Sequence, residues 1–243
     1  MQSWGLTDPG CVRKQNQDAY RMEQLDRSTL LCVVCDGMGG AKSGNVASSL
    51  AVDAFTEEVC SGWKHSMDTE QTDQLLRKAV KLANFTVFDQ AVQFEEFAGM
   101  GTTLTAALVH DGTVTIVNVG DSRVYGINRS GISQLTKDHS LVQMMVDRGD
   151  LTPEVAKSYP GKNLITRAVG TEPSVLCDIF HWEAERGDYL LLCSDGLSNV
   201  MDDQEILFEV AHGVNKQHCC QRLLSIAKNR GAPDNVTSVL VLI

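Results

Sequence analysis

The sequence predicts an α+β fold, a four-layer α-β-β-α sandwich of two antiparallel β-sheets flanked by helices. Strand-like apolar runs recur along most of the chain. Neighbouring runs are joined by short turns such as His110-Asp111-Gly112, which indicate antiparallel hairpins rather than βαβ units. Two pairs of helix-like segments fall between groups of strands, where they can cover the outer faces of the two sheets.

The elements follow from local patterning. Apolar side chains recur at helical spacing in two long segments between Gly44 and Phe97, and again near residues 203–211 and 216–230. β-Branched and apolar runs bounded by turn residues predict strands at 18–22, 29–35, 102–109, 113–119, 122–127, 132–135, 176–182, 189–193 and 237–243.

The pattern weakens at residues 139–167, where glycine and proline interrupt short helical pieces. We interpret this segment as an inserted flap, because a long irregular insertion in a compact domain often serves as a functional lid. A loop without function is the alternative. The remaining pattern shows no repeat and no linker, and 243 residues with 43% hydrophobic content suit one domain over residues 1–243.

Charge and composition exclude several classes of protein. The formal net charge of −10 repels phosphate backbones and anionic lipids, so we expect no nucleic-acid and no membrane partner. The amino terminus lacks the pattern of a signal peptide, and no run of 18 apolar residues occurs. We therefore expect a soluble, cytoplasmic protein, and a monomer. The eight cysteines fit a reducing compartment, and Cys32 and Cys35 read as small apolar residues of a buried strand rather than a redox or zinc pair.

Four aspartates stand beside small or turn-forming residues far apart in the chain: Asp18, Asp36, Asp195 and Asp234. Three of them close or follow a strand-like run. The sheet holds a carboxylate at such a strand end, and adjacent glycines allow a ligand to approach closely. The pattern predicts that these corners converge on a metal centre with oxygen ligands, which suits Mg²⁺ or Mn²⁺ better than zinc.

Two such ions can activate a shared water for attack on a phosphoryl group. Phosphate also needs a cationic clamp, and Arg13 lies five residues before Asp18. Its guanidinium can form two parallel hydrogen bonds to phosphate oxygens. Alone, Arg13 would read as a solvated surface arginine; beside the aspartate motifs it is a candidate for substrate binding and catalysis.

The chain resembles the metal-dependent type-2C protein serine/threonine phosphatases in their short bacterial form. An isolated Asp-Gly pair is usually a turn, but here eight matching stretches follow in order along almost the whole chain. They are VRKQNQD (12–18), DGMGG (36–40), GTTL (101–104), GDSR (120–123), DHS (138–140), LITRAVG (164–170), SDGL (194–197) and DNVT (234–237).

The resemblance implies specific roles for these residues. Asp36 would bridge two Mn²⁺ or Mg²⁺ ions, the Gly37 carbonyl would bind one of them, and Asp195 and Asp234 would complete the other. Asp18 would act through metal-bound water. Asp121 matches a position that helps to hold a third, weaker metal together with the equivalent of Asp195; a plain hairpin-turn aspartate is the alternative for this position.

The sequence departs from the family at two positions. Many bacterial relatives have a histidine after the second glycine of DGMGG and animal relatives have one after the first, whereas this chain has Ala41 and Met38 there. Because a general acid typically contributes about 10²–10⁴ in rate, another group must protonate the leaving alkoxide or turnover is slow. His139 is a possible substitute, but we interpret it as a structural hydrogen-bonding residue.

We expect metal-dependent hydrolysis of phosphoserine and phosphothreonine on proteins by a metal-bridging water, opposing a serine/threonine kinase. The missing histidine motivates an alternative, a weakly active or inactive relative that acts as a phosphoprotein-binding regulator. A third hypothesis keeps the metal chemistry but moves it to a phosphodiester or nucleotide. The acidic charge and the lack of a basic, aromatic groove count against nucleic acid.

Overall fold

The computed structural model describes residues 1–39, 43–156, 159–213 and 215–243. Gly40 and Ala41, which the motif comparison singled out, lie outside the described residues. The strands are β1 (Gln2–Asp8), β2 (Asp18–Gln24), β3 (Thr29–Met38), β4 (Gly101–Thr102), β5 (Leu104–His110), β6 (Thr113–Val119), β7 (Arg123–Asn128), β8 (Gly131–Gln134), β9 (Asp178–Glu183), β10 (Tyr189–Cys193) and β11 (Val236–Leu242). The helices are α1 (Gly44–Gly62), α2 (Thr69–Gln93), α3 (Leu141–Asp147), α4 (Pro153–Ala156), α5 (Asp195–Ser198), α6 (Asp203–His212) and α7 (Cys219–Asn229), with 3₁₀ turns at Glu95–Phe97 and Lys216–His218.

The strands form two sheets in which every pairing is antiparallel. One sheet has the order β1-β11-β10-β7-β8, and the other has the order β2-β3-β5-β6-β9 with β4 paired to β3. α1 and α2 cover the second sheet, and α6 and α7 cover the first. The predicted four-layer sandwich is therefore confirmed.

The core has three apolar layers because both faces of each central strand are covered. Alternate residues of β3 point to opposite faces, so Cys32 packs between the sheets while Cys35 packs against α1 and α2. Both thiols are fully buried and unpaired with another cysteine. Their assignment as small core residues is confirmed, and burial raises the pKa of Cys32 to about 12.

The structure divides the predicted strand 102–109 into β4 and β5 and adds β1, which the sequence did not predict. β1 lies at an edge of its sheet, pairs with β11 and is only partly buried, and its apolar pattern is limited to Trp4 and Leu6, which is too short to predict a strand. The one-turn helix α5 was missed as well, since the Ser194-Asp195-Gly196 sequence is typical of a turn. Among the described residues, no helix combines the length and the apolar character needed to cross a membrane.

Candidate active site

The predicted corners meet at one end of the sandwich, around an open cavity of about 680 Å³. Strands that run in the two sheets end here, so residues far apart in sequence become neighbours. All of the predicted site residues except Asp18 line the cavity: Arg13, Asp36, Gly37, Asp121, Asp195 and Asp234. The other lining residues are Lys14, Gln15, Gln17, Met38, Gly39, Thr103, Asn163 and Ile165.

Asp18 lies behind the cavity and does not line it. It begins β2 and pairs in register with Asp36 on β3. Its Oδ2 accepts hydrogen bonds from Ser194 Oγ at 2.7 Å and from Thr237 Oγ1 at 2.6 Å. Thr237 lies in β11 and Ser194 directly follows β10, both of the other sheet, so Asp18 joins the two sheets at the floor of the site.

Asp36 and Gly37 are held by the end of β3. The backbone N–H of Asp36 donates to Thr103 Oγ1 at 2.8 Å, and the Asp36 carbonyl accepts from the Thr103 N–H at 2.9 Å. A Cβ on Gly37 would lie 2.0 Å from the carbonyl oxygen of Gly44. Only glycine therefore lets the start of α1 pack this closely against the strand that carries Asp36.

Asp195 and Asp234 are brought together by a similar close approach. Asp195 begins α5 directly after β10, and a Cβ on Gly196 would lie 1.9 Å from the carbonyl oxygen of Asn235. Asp234 Oδ1 accepts from the Asn235 N–H at 2.9 Å. The Asn235 side chain in turn donates to the Gln15 carbonyl at 2.9 Å, which fixes the loop that carries Arg13.

Arg13 lies at the rim, where one of its guanidinium nitrogens donates to Asp234 Oδ2 at 2.8 Å. The arginine side chain is 54% exposed, so the planar group remains accessible from solvent. The structure thus brings the predicted phosphate clamp to the predicted metal ligands. Because more than half of the arginine side chain is exposed, the guanidinium can still donate hydrogen bonds to an incoming anion.

Asp121 follows β6 in the turn that leads to β7, and the predicted flap begins beside it. His139 is buried; its Nδ1 accepts from the Gly120 N–H at 3.1 Å, and its Nε2 lies 3.1 Å from Asp178 Oδ2. The Thr166 N–H donates to the His139 carbonyl at 2.7 Å, so both ends of the segment are pinned near Asp121. This geometry agrees with a structural role for His139, which does not line the cavity.

The electrostatics of the carboxylates are those of a cation site. Burial raises the pKa of Asp18 to about 7, with the charges of Asp195 and Asp234 adding to the rise. Burial, followed by repulsion from Asp195, raises the pKa of Asp121 to about 8. Burial and neighbouring carboxylates also raise the pKa of Asp36 well above its ordinary value, and that of Asp195. Closely spaced buried anions are costly unless a cation offsets them.

Two buried oxygens show that the carboxylates fit a hard cation. Oδ1 of Asp18 and Oδ1 of Asp195 are buried and accept no hydrogen bond, although such atoms normally have a partner. Among the described residues, no three of these carboxylates bring oxygens within 4.8 Å of one another. The cluster is therefore too open for one ion held by three carboxylates and suits Mg²⁺ or Mn²⁺, since Mg²⁺ usually retains several waters.

Sequence reasoning named the carboxylates but missed the groups that hold them. Ser194 and Thr237 stand beside Asp195 and Asp234 within the recognised motifs, and no local pattern shows that their hydroxyl groups reach Asp18. Asn163 was grouped only with the flap, and Ile165 was noted only as part of the LITRAVG motif, yet both line the cavity. No histidine occurs among the described residues that line the cavity.

Comparison with known proteins agrees with this site. The sequence profile of protein phosphatase 2C matches residues 12–226. The serine/threonine phosphatase stp of Listeria welshimeri is 34% identical over 238 residues, which is 97% of this chain and 93% of the relative. The crystal structure of the serine/threonine phosphatase Stp1 from Staphylococcus aureus superposes with a TM-score of 0.92 at 37% identity, covering 100% of this chain and 94% of the other.

A third comparison bears on the metal. The catalytic domain of the serine/threonine protein phosphatase PstP, described in complex with two manganese ions, matches with a TM-score of 0.84 at 33% identity, covering 98% of this chain and 96% of that chain. The sandwich and its acidic cavity are thus those of a protein serine/threonine phosphatase. The chain belongs to the protein phosphatase 2C family.

Proposed function

We propose that this phosphatase hydrolyses phosphoserine and phosphothreonine on proteins in a reaction that depends on Mn²⁺ or Mg²⁺ held in the acidic cavity. The observation that carries the proposal is the convergence of Asp18, Asp36, Asp121, Asp195 and Asp234, two of which bury an oxygen without a hydrogen-bond partner. The manganese in a neighbour of the same fold supports it.

Each carboxylate receives a proposed role. Asp36 and the Gly37 carbonyl would help to hold the ions, together with Asp195 and Asp234. Asp121, whose pKa is raised in part by the charge of Asp195, would help Asp195 to hold a third ion. When bound, the ions activate a water for attack on phosphorus and offset the charge of the phosphoryl oxygens. Ser194 and Thr237 hold Asp18 behind the cavity, from where it would act on the ions indirectly, through water.

The physiological substrates would be proteins phosphorylated by a serine/threonine kinase, which this enzyme would oppose. The open cavity and its exposed rim suit a side chain on a large partner, and Lys14, Gln15 and Asn163 offer polar contacts to it. Eight free cysteines support an origin in the reducing cytoplasm. A monomeric state remains part of this proposal.

Metal dependence is tested by the release of phosphate from a phosphothreonine peptide. We expect activity with Mn²⁺ or Mg²⁺, loss of activity with excess chelator, and recovery when the ion is added back. Activity that persists after complete chelation would contradict the metal requirement. Absence of hydrolysis with either ion, together with retained peptide binding, would instead favour the phosphoprotein-binding regulator.

Arg13 is expected to bind the phosphate of the substrate. Arg13→Ala should raise KM for the phosphopeptide by about 10- to 100-fold, the usual effect of losing hydrogen bonds to a charged group. Steady-state kinetics measure this change. The KM of Arg13→Lys should lie between those of the wild-type protein and Arg13→Ala, because lysine presents a single point charge. Since Arg13 also contacts Asp234, the Mn²⁺ concentration for half-maximal activity is measured in parallel. An unchanged KM in Arg13→Ala would contradict the role of Arg13 in binding the substrate phosphate.

A further inference from the structure

A second cluster of metal-ligating side chains lies at the opposite end of the sandwich. Asp26 is in the turn between β2 and β3, His65 is in the connection between α1 and α2, and His110 ends β5. One ligand atom from each of the three lies within 4.8 Å of the others. Thr29, beside this cluster, begins β3 and stands seven residues before Asp36, so the two ends are about 23 Å apart.

The carboxylate of this cluster is firmly held and charged. Asp26 Oδ1 accepts from the Ser28 N–H at 2.9 Å, and Oδ2 accepts from Thr29 Oγ1 at 2.9 Å and from Trp63 Nε1 at 3.3 Å. These bonds, the Ser28 N–H first among them, hold the pKa of Asp26 below its ordinary value. The residue is therefore an anion at neutral pH, as a metal ligand must be.

The two imidazoles are also positioned. Thr29 Oγ1 lies 2.8 Å from His110 Nδ1 and so links that ring to the Asp26 carboxylate. The rings of His65 and His110 meet edge to face with centroids 4.8 Å apart, and Trp63 packs against His110 with centroids 5.1 Å apart. His65 Nδ1 lies 3.6 Å from Asp26 Oδ2, beyond a hydrogen bond but within reach of a shared ion.

We propose that Asp26, His65 and His110 form a second, non-catalytic binding site for a divalent transition metal, with Zn²⁺ the best match. Two imidazoles and a carboxylate are a donor set typical of Zn²⁺, whereas the oxygen ligands of the cavity suit Mn²⁺ and Mg²⁺. Asp111, whose Oδ2 lies 3.6 Å from His110 Nε2, places another carboxylate beside the cluster.

Binding requires only a small closure. Ligands of a tetrahedral Zn²⁺ at 2.0–2.1 Å from the metal stand roughly 3.3 Å apart, so the ligand atoms must move together by up to about 1.5 Å. His65 can supply this movement because its side chain is 66% exposed. The ion would tie the α1–α2 connection to two hairpins and stabilise the folded chain by mass action.

The test uses the Asp36→Asn protein, in which the catalytic cluster is weakened, and measures Zn²⁺ binding by calorimetry and by tryptophan fluorescence. We expect a Zn²⁺ site whose occupancy changes the emission of Trp63, which hydrogen-bonds to Asp26. Adding His65→Ala should lower the Zn²⁺ affinity of this site by at least about 10²-fold, since even loss of an outer partner of a ligand costs 10- to 100-fold.

His181→Ala is the matched control, because this exposed histidine contacts Asp73 at 2.8 Å on another part of the surface. It should retain the site. Equal Zn²⁺ binding in the His65→Ala and His181→Ala proteins, or no Zn²⁺ site in the parent, would overturn the proposal and leave a hydrogen-bonded aromatic cluster. In the otherwise wild-type chain, His65→Ala should leave Mn²⁺-dependent phosphatase activity unchanged. Without zinc, the variant and its parent should have equal melting temperatures, which would show that the variant is folded.

Discussion

Asp36→Asn is expected to abolish metal-dependent phosphate release while making the metal-free protein more stable. The substitution removes the proposed bridge between two ions at the centre of the cavity. Loss of one group that stabilises charge in a transition state commonly costs about 10²–10³ in rate, and we expect at least this loss here. Phosphate release from a phosphothreonine peptide at saturating Mn²⁺ measures it.

The expected gain in stability without metal also follows from the loss of the Asp36 charge. Burial and the charges of Asp18, Asp195 and Asp121 raise the pKa of Asp36, so its ionised form opposes folding when no cation is present. The asparagine amide is neutral, so the substitution removes the repulsion between residue 36 and the neighbouring carboxylates. We expect the free energy of unfolding in chelator at pH 8 to rise by about 1–2 kcal/mol, a common gain for a stabilising substitution.

A matched control separates these effects from a general loss of charge. Asp203 is exposed in the first turn of α6, and Asp203→Asn should change neither activity nor stability in chelator by a comparable amount. Urea unfolding of the three proteins with and without Mn²⁺ gives the comparison. Full activity in Asp36→Asn would remove the residue from the catalytic centre, and lower stability without metal would contradict the argument from repulsion.

The metal-free protein is expected to lose stability as the pH rises from about 4 to about 8. The pKa of Asp18 is raised from 3.8 to about 7 and that of Asp121 to about 8 in the folded state. Their contribution to stability is complete below the unfolded pKa and disappears as the pH passes the folded pKa. For Asp18 alone, the change amounts to a few kcal/mol at most.

Other groups titrate with the opposite sign and must be separated. Burial lowers the pKa of His139, so its contribution to stability increases as the pH rises toward its ordinary pKa. The pKa values of Asp8 and Glu205 are lowered in the folded state, so their contribution to stability is fully present once the pH is above their ordinary pKa values. The informative quantity is therefore the difference between the wild-type protein and Asp18→Asn, in which these contributions cancel.

Thermal and urea unfolding from pH 4 to pH 9 in chelator measure this difference. The wild-type protein should lose stability relative to Asp18→Asn between about pH 4 and pH 7, and saturating Mn²⁺ should remove or reverse the trend, since metal binds the ionised carboxylates. Parallel curves for the two proteins in chelator would show that Asp18 does not carry a raised pKa.

Local patterns were sufficient for most of the fold. Continuous apolar and β-branched runs bounded by short turns predict strands that are covered on both faces, and β3, β6 and β10 are found where expected. β1 was not predicted because its apolar pattern is limited to Trp4 and Leu6, and its backbone is held by β11, a partner more than 200 residues away. That pairing exists only in the folded chain.

The sequence by itself determined the sandwich and pointed to Asp36 and Asp195, because a strand end, a glycine and a carboxylate form a local unit that can be recognised from neighbouring residues. Asp234 and the family followed from the order of the eight motifs along the chain. Only the tertiary structure decided that Asp18 lies behind the cavity, where it accepts hydrogen bonds from Ser194 and Thr237. It also decided that Asp26, His65 and His110 lie close together. These contacts join segments with no common local pattern, and packing of the two sheets and the helix layer creates them.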